Sequence, residues 1–191
     1  MRTVPYRKAV GSLTYLANSS RPDIAHAVNY VAQYSQNPGE SHWRAVKTIL
    51  RYLSGTKNYA LQFAGAANKV LGEAGESNPA ATLLTLRAFA DANWGGCLDT
   101  RRSTTGWIIT LGNDILDWQS RKQTTVALST CEAEYMAIAA AAQAVTWTRG
   151  FLREMEEIEA GVQEKSVEEG IPMAVPILFS DNKAAIAMAK N

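Results

Sequence analysis

Two observations mark this chain as an α/β protein, a mixed sheet with packed helices preceded by a small helical subdomain. The first is a change of hydrophobic period: residues 1–63 carry apolar side chains at helical spacing, whereas short β-branched and aromatic runs follow residue 86. The second is the order of the later elements, three strand candidates, a long helix, a strand and a helix. A strand that arrives through a helical crossover runs parallel to a neighbour, while strands joined by short turns run antiparallel.

The first helix is expected over Val10, Leu13, Tyr15 and Leu16, ended by "NSSRP". The second carries Ile24, Ala27, Val28, Val31 and Tyr34, with Pro22 near its first turn. "NPGESHW" breaks the chain, and a third helix starts at Glu40 or Ser41, carries Trp43, Val46, Ile49, Leu50 and Leu53, and ends at Gly55. Residues 64–86, rich in Ala, Gly, Ser and Asn, read as a linker, which puts the second domain at 87–191. There "LRAFAD", "STTGWIITLG" and "DILDWQSRKQ" are strand candidates around a Gly112-Asn113-Asp114 turn. An Ala-rich helix from about Thr130 to Met155, the strand "VPILFSD" and a helix at "NKAAIAMAKN" complete the order.

With 47% hydrophobic and 19% charged residues the composition is that of a soluble globular protein. No apolar run reaches a bilayer span and the N-terminus lacks a signal-peptide core, so an intracellular location is expected. Cys97 and Cys131 are too few and too isolated for a disulfide framework or a structural zinc site. Both histidines, His26 and His42, lie in the first third, so any metal held later must be held by carboxylates. The charge is uneven: residues 1–63 hold eight cations against two acids, a net +6, and the remainder is −5. That split suits either a basic arm on a polyanion or a solvated helix face.

Asp91 and Asp181 each end a short apolar run. If those strands are adjacent and parallel, both carboxylates arrive at one sheet edge, where they repel unless a cation neutralises them. Oxygen ligands in a His-free site point to magnesium or manganese. A third ligand is expected from the long helix, where Glu132 and Glu134 lie about 200° apart around the axis. Ser129-Thr130-Cys131-Glu132 fits a capping box, which assigns Glu132 to the helix start and leaves Glu134 for the metal. Spacing alone equally admits two surface glutamates, a turn aspartate and an N-cap.

Three separated stretches, "FADANWGGCLDTRRSTTGWIITLG", "DWQSRKQTTVALSTCEAEYMAIAAAAQAVTWTRGFL" and "PILFSDNKAAIAMAKN", resemble the ribonuclease H domain of copia-type LTR-retrotransposon Pol polyproteins. "YRKAVGSLTYLANSSRPDIAHAVNYVAQYSQNPGESHWRAVKTILRYLSGT" resembles the end of the reverse transcriptase that precedes it. The resemblance implies a ribonuclease H-like fold and cleavage of the RNA strand of RNA–DNA hybrids with two Mg2+ or Mn2+ ions. Asp91 would bridge both ions, Glu134 would hold one, and Asp181 would hold the other and help orient the attacking water. Arg101, Arg102, Ser103, Thr104, Arg121, Lys122, Gln123 and Asn182 are the expected nucleic-acid contacts. Trp94 and Trp118 are read first as core residues and second as platforms for sugar or base. The implied partners are the hybrid and the rest of a reverse transcriptase, in the cytoplasm within a virus-like particle. The family pattern continues past Asn191 with a fourth acid, a strand and a helix, so the domain is expected to be C-terminally truncated. A catalytically inactive module that binds hybrid or packs on a polymerase is the alternative reading.

Overall fold

The structure, a computed structural model, describes residues 4–63, 85–159 and 175–190. Its elements are α1 (Tyr6–Ser19), α2 (Ala25–Ala32) after a 3-10 turn at Pro22–Ile24, α3 (Glu40–Gly55), β1 (Leu86–Asn93), β2 (Thr104–Leu111), β3 (Asp114–Lys122), α4 (Thr130–Glu159), β4 (Ile177–Phe179) and α5 (Lys183–Lys190). The four strands form one mixed sheet in the order β3-β2-β1-β4. The expected antiparallel meander is present in β1, β2 and β3, and β4 pairs parallel with β1. The expected linker lies outside the described residues except for Thr85 and Leu86, and Leu86 already belongs to β1. Among the described residues no helix is long and apolar enough to cross a membrane.

Helices α1 to α3 bury one apolar cluster made of Tyr6, Val10, Leu13, Ala17, Ile24, Val28, Val31, Val46 and Ile49. Tyr6, Val10, Leu13 and Ala17 follow the helical repeat and define the buried face of α1. Tyr15 and Leu16 were expected on that face, yet both are exposed. Tyr15 points about 170° away from it, and Leu16 about 90°. Leu50, at the edge of the α3 stripe, is also exposed. The second helix stops at Ala32, before Tyr34.

Arg21 is buried beneath this unit and fully engaged. Its Nη2 donates to Asp23 Oδ2 at 2.7 Å and to Thr56 Oγ1 at 2.6 Å, and Nη1 donates to the Thr56 carbonyl at 3.2 Å. Tyr52 donates its hydroxyl to the same Asp23 carboxylate at 2.9 Å. The hydrogen bond from Arg21, with a further one from Tyr52, holds the Asp23 pKa below its usual value against the cost of burial. This knot ties the turn after α1 to the end of α3.

The sheet unit has its own core. Leu86, Ala88 and Ala90 of β1 and Trp107 and Ile109 of β2 meet Ala137, Ile138, Ala141 and Val145 of α4, with Ala185 of α5 at the margin. Alanines on α4 let the helix lie close over β1 and β2, while Leu86 and Ile109 each contribute about 1.5–3 kcal/mol by full burial.

The opposite sheet face carries a second apolar row. Phe179, Phe89, Ile108 and Trp118 stand side by side across all four strands. The Phe89 and Phe179 rings stack with centroids 5.0 Å apart. At the Trp118 end the helical unit covers the row: Trp118 Nε1 donates to the Ala17 carbonyl at 2.7 Å, and Asn29 Nδ2 to the Ser120 carbonyl at 2.8 Å. At the other end Phe89 and Phe179 remain 45% and 43% exposed.

Candidate metal centre

Parallel pairing matches Phe89 with Phe179, and Asp91 and Asp181 each lie two residues further on. Both side chains therefore leave the same edge of the sheet. Antiparallel pairing sets Asp91 against Gly106.

The chain cannot continue as strand beyond Asn93. Gly95 adopts φ +58°, a left-handed conformation that glycine takes without steric cost, and its N–H donates to Ser103 Oγ at 3.0 Å. A Cβ on Gly96 would lie 2.5 Å from Asn93 Nδ2, so a side chain there would have to displace the exposed Asn93 amide. This is why the Trp94-Gly95-Gly96 segment follows the aspartate.

At the start of α4 the expected capping box forms in part: Ser129 caps the helix, and Glu132 folds back one residue beyond it, onto Leu128. Ser129 Oγ accepts the Glu132 N–H at 3.1 Å, and Glu132 Oε2 accepts the Leu128 N–H at 2.6 Å. Glu132 is thus committed to the helix end. Glu134, two residues on, is only 7% exposed.

Asp91, Glu134 and Asp181 come together: one carboxylate oxygen of each lies within 4.8 Å of the others. Neither ion pair among the described residues involves any of the three. Burial pushes the Glu134 pKa up, a hydrogen bond from the Ala92 backbone opposes this, and the charges of Asp91 and Asp181 raise it further. Its Oε2 is buried without a hydrogen-bond partner. Three convergent hard oxygen donors, one of them orphaned, fit a divalent cation of the magnesium or manganese class.

The expected nucleic-acid contacts separate into two groups. Arg101 and Arg121 are exposed, and Arg102, Thr104 and Lys122 are half-buried. Ser103 and Gln123 are buried instead, and both bond within the fold. Ser103 Oγ receives Gly95 N–H, while Gln123 Nε2 donates to Thr105 Oγ1 and to the Ala133 carbonyl, both at 3.0 Å. Thr105 occupies the inward phase of β2 and Ser103, just before the strand, continues it; polar residues at that phase were the available signal of a buried polar partner. Asn182 caps α5, its Oδ1 accepting the Ala185 N–H at 3.0 Å.

Neither tryptophan is a core residue. Trp94 is half-exposed and donates Nε1 to the Ala127 carbonyl at 3.1 Å, and Trp118 fastens β3 to α1. A groove of about 370 Å³ lies on the open sheet face, with His26 of α2 on one side and Phe89, Asp91 and Ile108 on the other. A larger concavity, lined wholly by α3 residues such as Arg44, Lys47 and Arg51, shares no residue with the acids. Left-handed backbone also appears at Arg101, φ +55°, in the loop between β1 and β2.

Across all 191 residues the chain is 39% identical to a retrovirus-related Pol polyprotein from transposon TNT 1-94 of Nicotiana tabacum, and it spans 12% of that protein. It is 36% identical over 187 residues to the Pol polyprotein from transposon RE1 of Arabidopsis thaliana, spanning 11% of it. Over 148 residues, 77% of the chain, it is 40% identical to secreted RxLR effector protein 161 of Plasmopara viticola, and that match covers 93% of the effector. No family model and no solved structure matches the chain. The homologues of this chain thus include retrovirus-related Pol polyproteins from copia-like transposons, and the chain spans only about a tenth of their length.

Proposed function

We propose that residues 87–191 form a ribonuclease H-like domain that cleaves the RNA strand of RNA–DNA hybrids in retrotransposon reverse transcription. Residues 1–63 would then be the end of the preceding polymerase. The observation that carries this reading is the meeting of Asp91, Glu134 and Asp181 within 4.8 Å, none of them ion-paired among the described residues.

Magnesium or manganese, when bound, supplies activation of a water molecule and stabilisation of the leaving 3′ oxygen. In this reading Asp91 would serve both ions, Glu134 would hold one, and Asp181 would hold the other and help orient the attacking water. Asp91 and Asp181 are exposed and open to a substrate, while buried Glu134 anchors the site from beneath. No side chain is needed as nucleophile. Arg101, Arg102, Arg121 and Lys122, with Thr104, are the candidates for phosphate contact.

The test is cleavage of a labelled RNA–DNA hybrid by the full chain with Mg2+ or Mn2+, beside Asp91→Asn. Wild-type cleavage that falls at least about 100-fold in the variant is expected, a larger loss than removing a residue that merely supports a metal ligand causes. Binding of hybrid without cleavage by the wild type would replace the enzyme with an inactive hybrid-binding module.

A further inference from the structure

Gln123 follows the last residue of β3, and its backbone N–H donates to the Ser103 carbonyl at 2.8 Å, extending the β2–β3 ladder by one step. Its side chain turns inward and is 6% exposed. There Nε2 donates twice, to Thr105 Oγ1 of β2 and to the carbonyl of Ala133 in the first turn of α4. The second acceptor is informative. The Ala133 carbonyl belongs to the peptide bond whose nitrogen is that of Glu134, so this amide grips the plane from which the Glu134 side chain departs.

We infer that Gln123 is a positioning residue for Glu134, tying the first turn of α4 to the sheet so that the buried carboxylate stays beside Asp91 and Asp181. This rests on the metal-centre reading above. The need for such a tie follows from charge: three carboxylates within 4.8 Å repel one another, and the one on the helix is free to recede from the two on the strands. The Ala92 backbone hydrogen bond holds Glu134 at its carboxylate, and Gln123 holds it at its backbone. Thr105 in turn fixes the amide, because its hydroxyl oxygen accepts the other Nε2 hydrogen. A helix carbonyl at this position already has a partner one turn on, so losing Gln123 leaves α4 helical and alters its seat. Residues that orient a metal ligand from outside act in this way, and their loss typically costs about 10–100-fold in metal affinity.

Gln123→Met keeps the volume and removes both donors, and Thr105→Val removes only the hydroxyl that fixes the amide. The readout is Mn2+ binding to the full chain by calorimetry, with circular dichroism confirming the fold and hybrid affinity measured in EDTA. The expected result is a Kd for Mn2+ raised about ten-fold or more in Gln123→Met. A smaller rise is expected in Thr105→Val, with hybrid affinity in EDTA unchanged in both. Equal Mn2+ affinity in wild type and variants would overturn the inference while leaving the metal centre standing. A drop in EDTA hybrid affinity with normal Mn2+ binding would make Gln123 a nucleic-acid contact instead. No Mn2+ uptake by the wild type would remove both readings together. If Gln123→Met failed to fold, Thr105→Val would decide alone, by the presence or absence of its weakened Mn2+ binding.

Discussion

The two halves of the molecule treat clustered charge in opposite ways. In the helical unit Arg21 and Asp23 are paired, and Tyr52 and Thr56 satisfy their remaining hydrogen-bonding capacity. In the sheet unit Asp91, Glu134 and Asp181 are gathered at one edge, and Glu134 keeps an orphaned buried oxygen. The backbone repeats the contrast, because every left-handed residue among those described, Gly95, Arg101 and Gly112, lies in the sheet unit. Satisfied charge holds a fold together, whereas charge left wanting stores energy for a ligand to release.

The contrast can be broken first at its stable end. Asp23→Asn leaves the Arg21 guanidinium buried without its counter-charge, and an expected loss of about 1.5–3 kcal/mol follows from hydrogen bonds to a charged group. Thermal melting measures it, and added Mn2+ should not restore it. The pH dependence carries the sign. Asp23 titrates below its unfolded value, so its contribution is complete above the ordinary aspartate pKa of about 3.9 and fades as pH falls through the folded value. Wild-type and Asp23→Asn stabilities should therefore converge in acid.

Glu134→Gln sharpens the comparison from the other side. Removing a buried charge with one oxygen left without a hydrogen bond should raise stability in EDTA by about 1 kcal/mol, a shift of about 2–4 °C in Tm. Glu134 titrates above its unfolded value, so its stabilising share is present below the ordinary glutamate pKa and is lost as pH rises through the folded one. That slope is opposite to the one from Asp23 and should vanish in the variant. Destabilisation by Glu134→Gln in EDTA would mean that the carboxylate serves the fold after all.

The smallest effect is expected at Arg101. Glycine adopts its φ of +55° without the clash an L side chain meets, so Arg101→Gly should stabilise by about 0.5–1 kcal/mol. If Arg101 also contacts phosphate, the same change should weaken hybrid binding, which anisotropy titrations at several salt concentrations would detect.

The acids were legible because strand ends and helix phase are local properties. Asp91 and Asp181 each close an apolar run, and the capping box separates Glu132 from Glu134 within six residues. The inward roles of Ser103 and Gln123 were hidden, since a polar residue beside arginines reads as surface until its partner across the sheet is known. Trp118 was misread for a similar reason: its bond to Ala17 joins positions 101 residues apart, beyond the reach of any periodicity. Tyr15, Leu16 and Leu50 show a different limit. Each is apolar, but apolarity alone does not mark the buried face, which in α1 follows the phase of Tyr6, Val10, Leu13 and Ala17 and leaves Tyr15 and Leu16 outside it.

The apolar row across the open sheet face also governs behaviour in concentrated solution. Phe89 and Phe179 leave stacked rings facing water beside β4, which at three residues offers little backbone for another strand to pair with. Self-association at this face would therefore run through ring contact rather than through growth of the sheet. Such contact weakens on cooling and tightens in sulfate, which makes cold, low-sulfate buffers the natural conditions for keeping the protein dispersed.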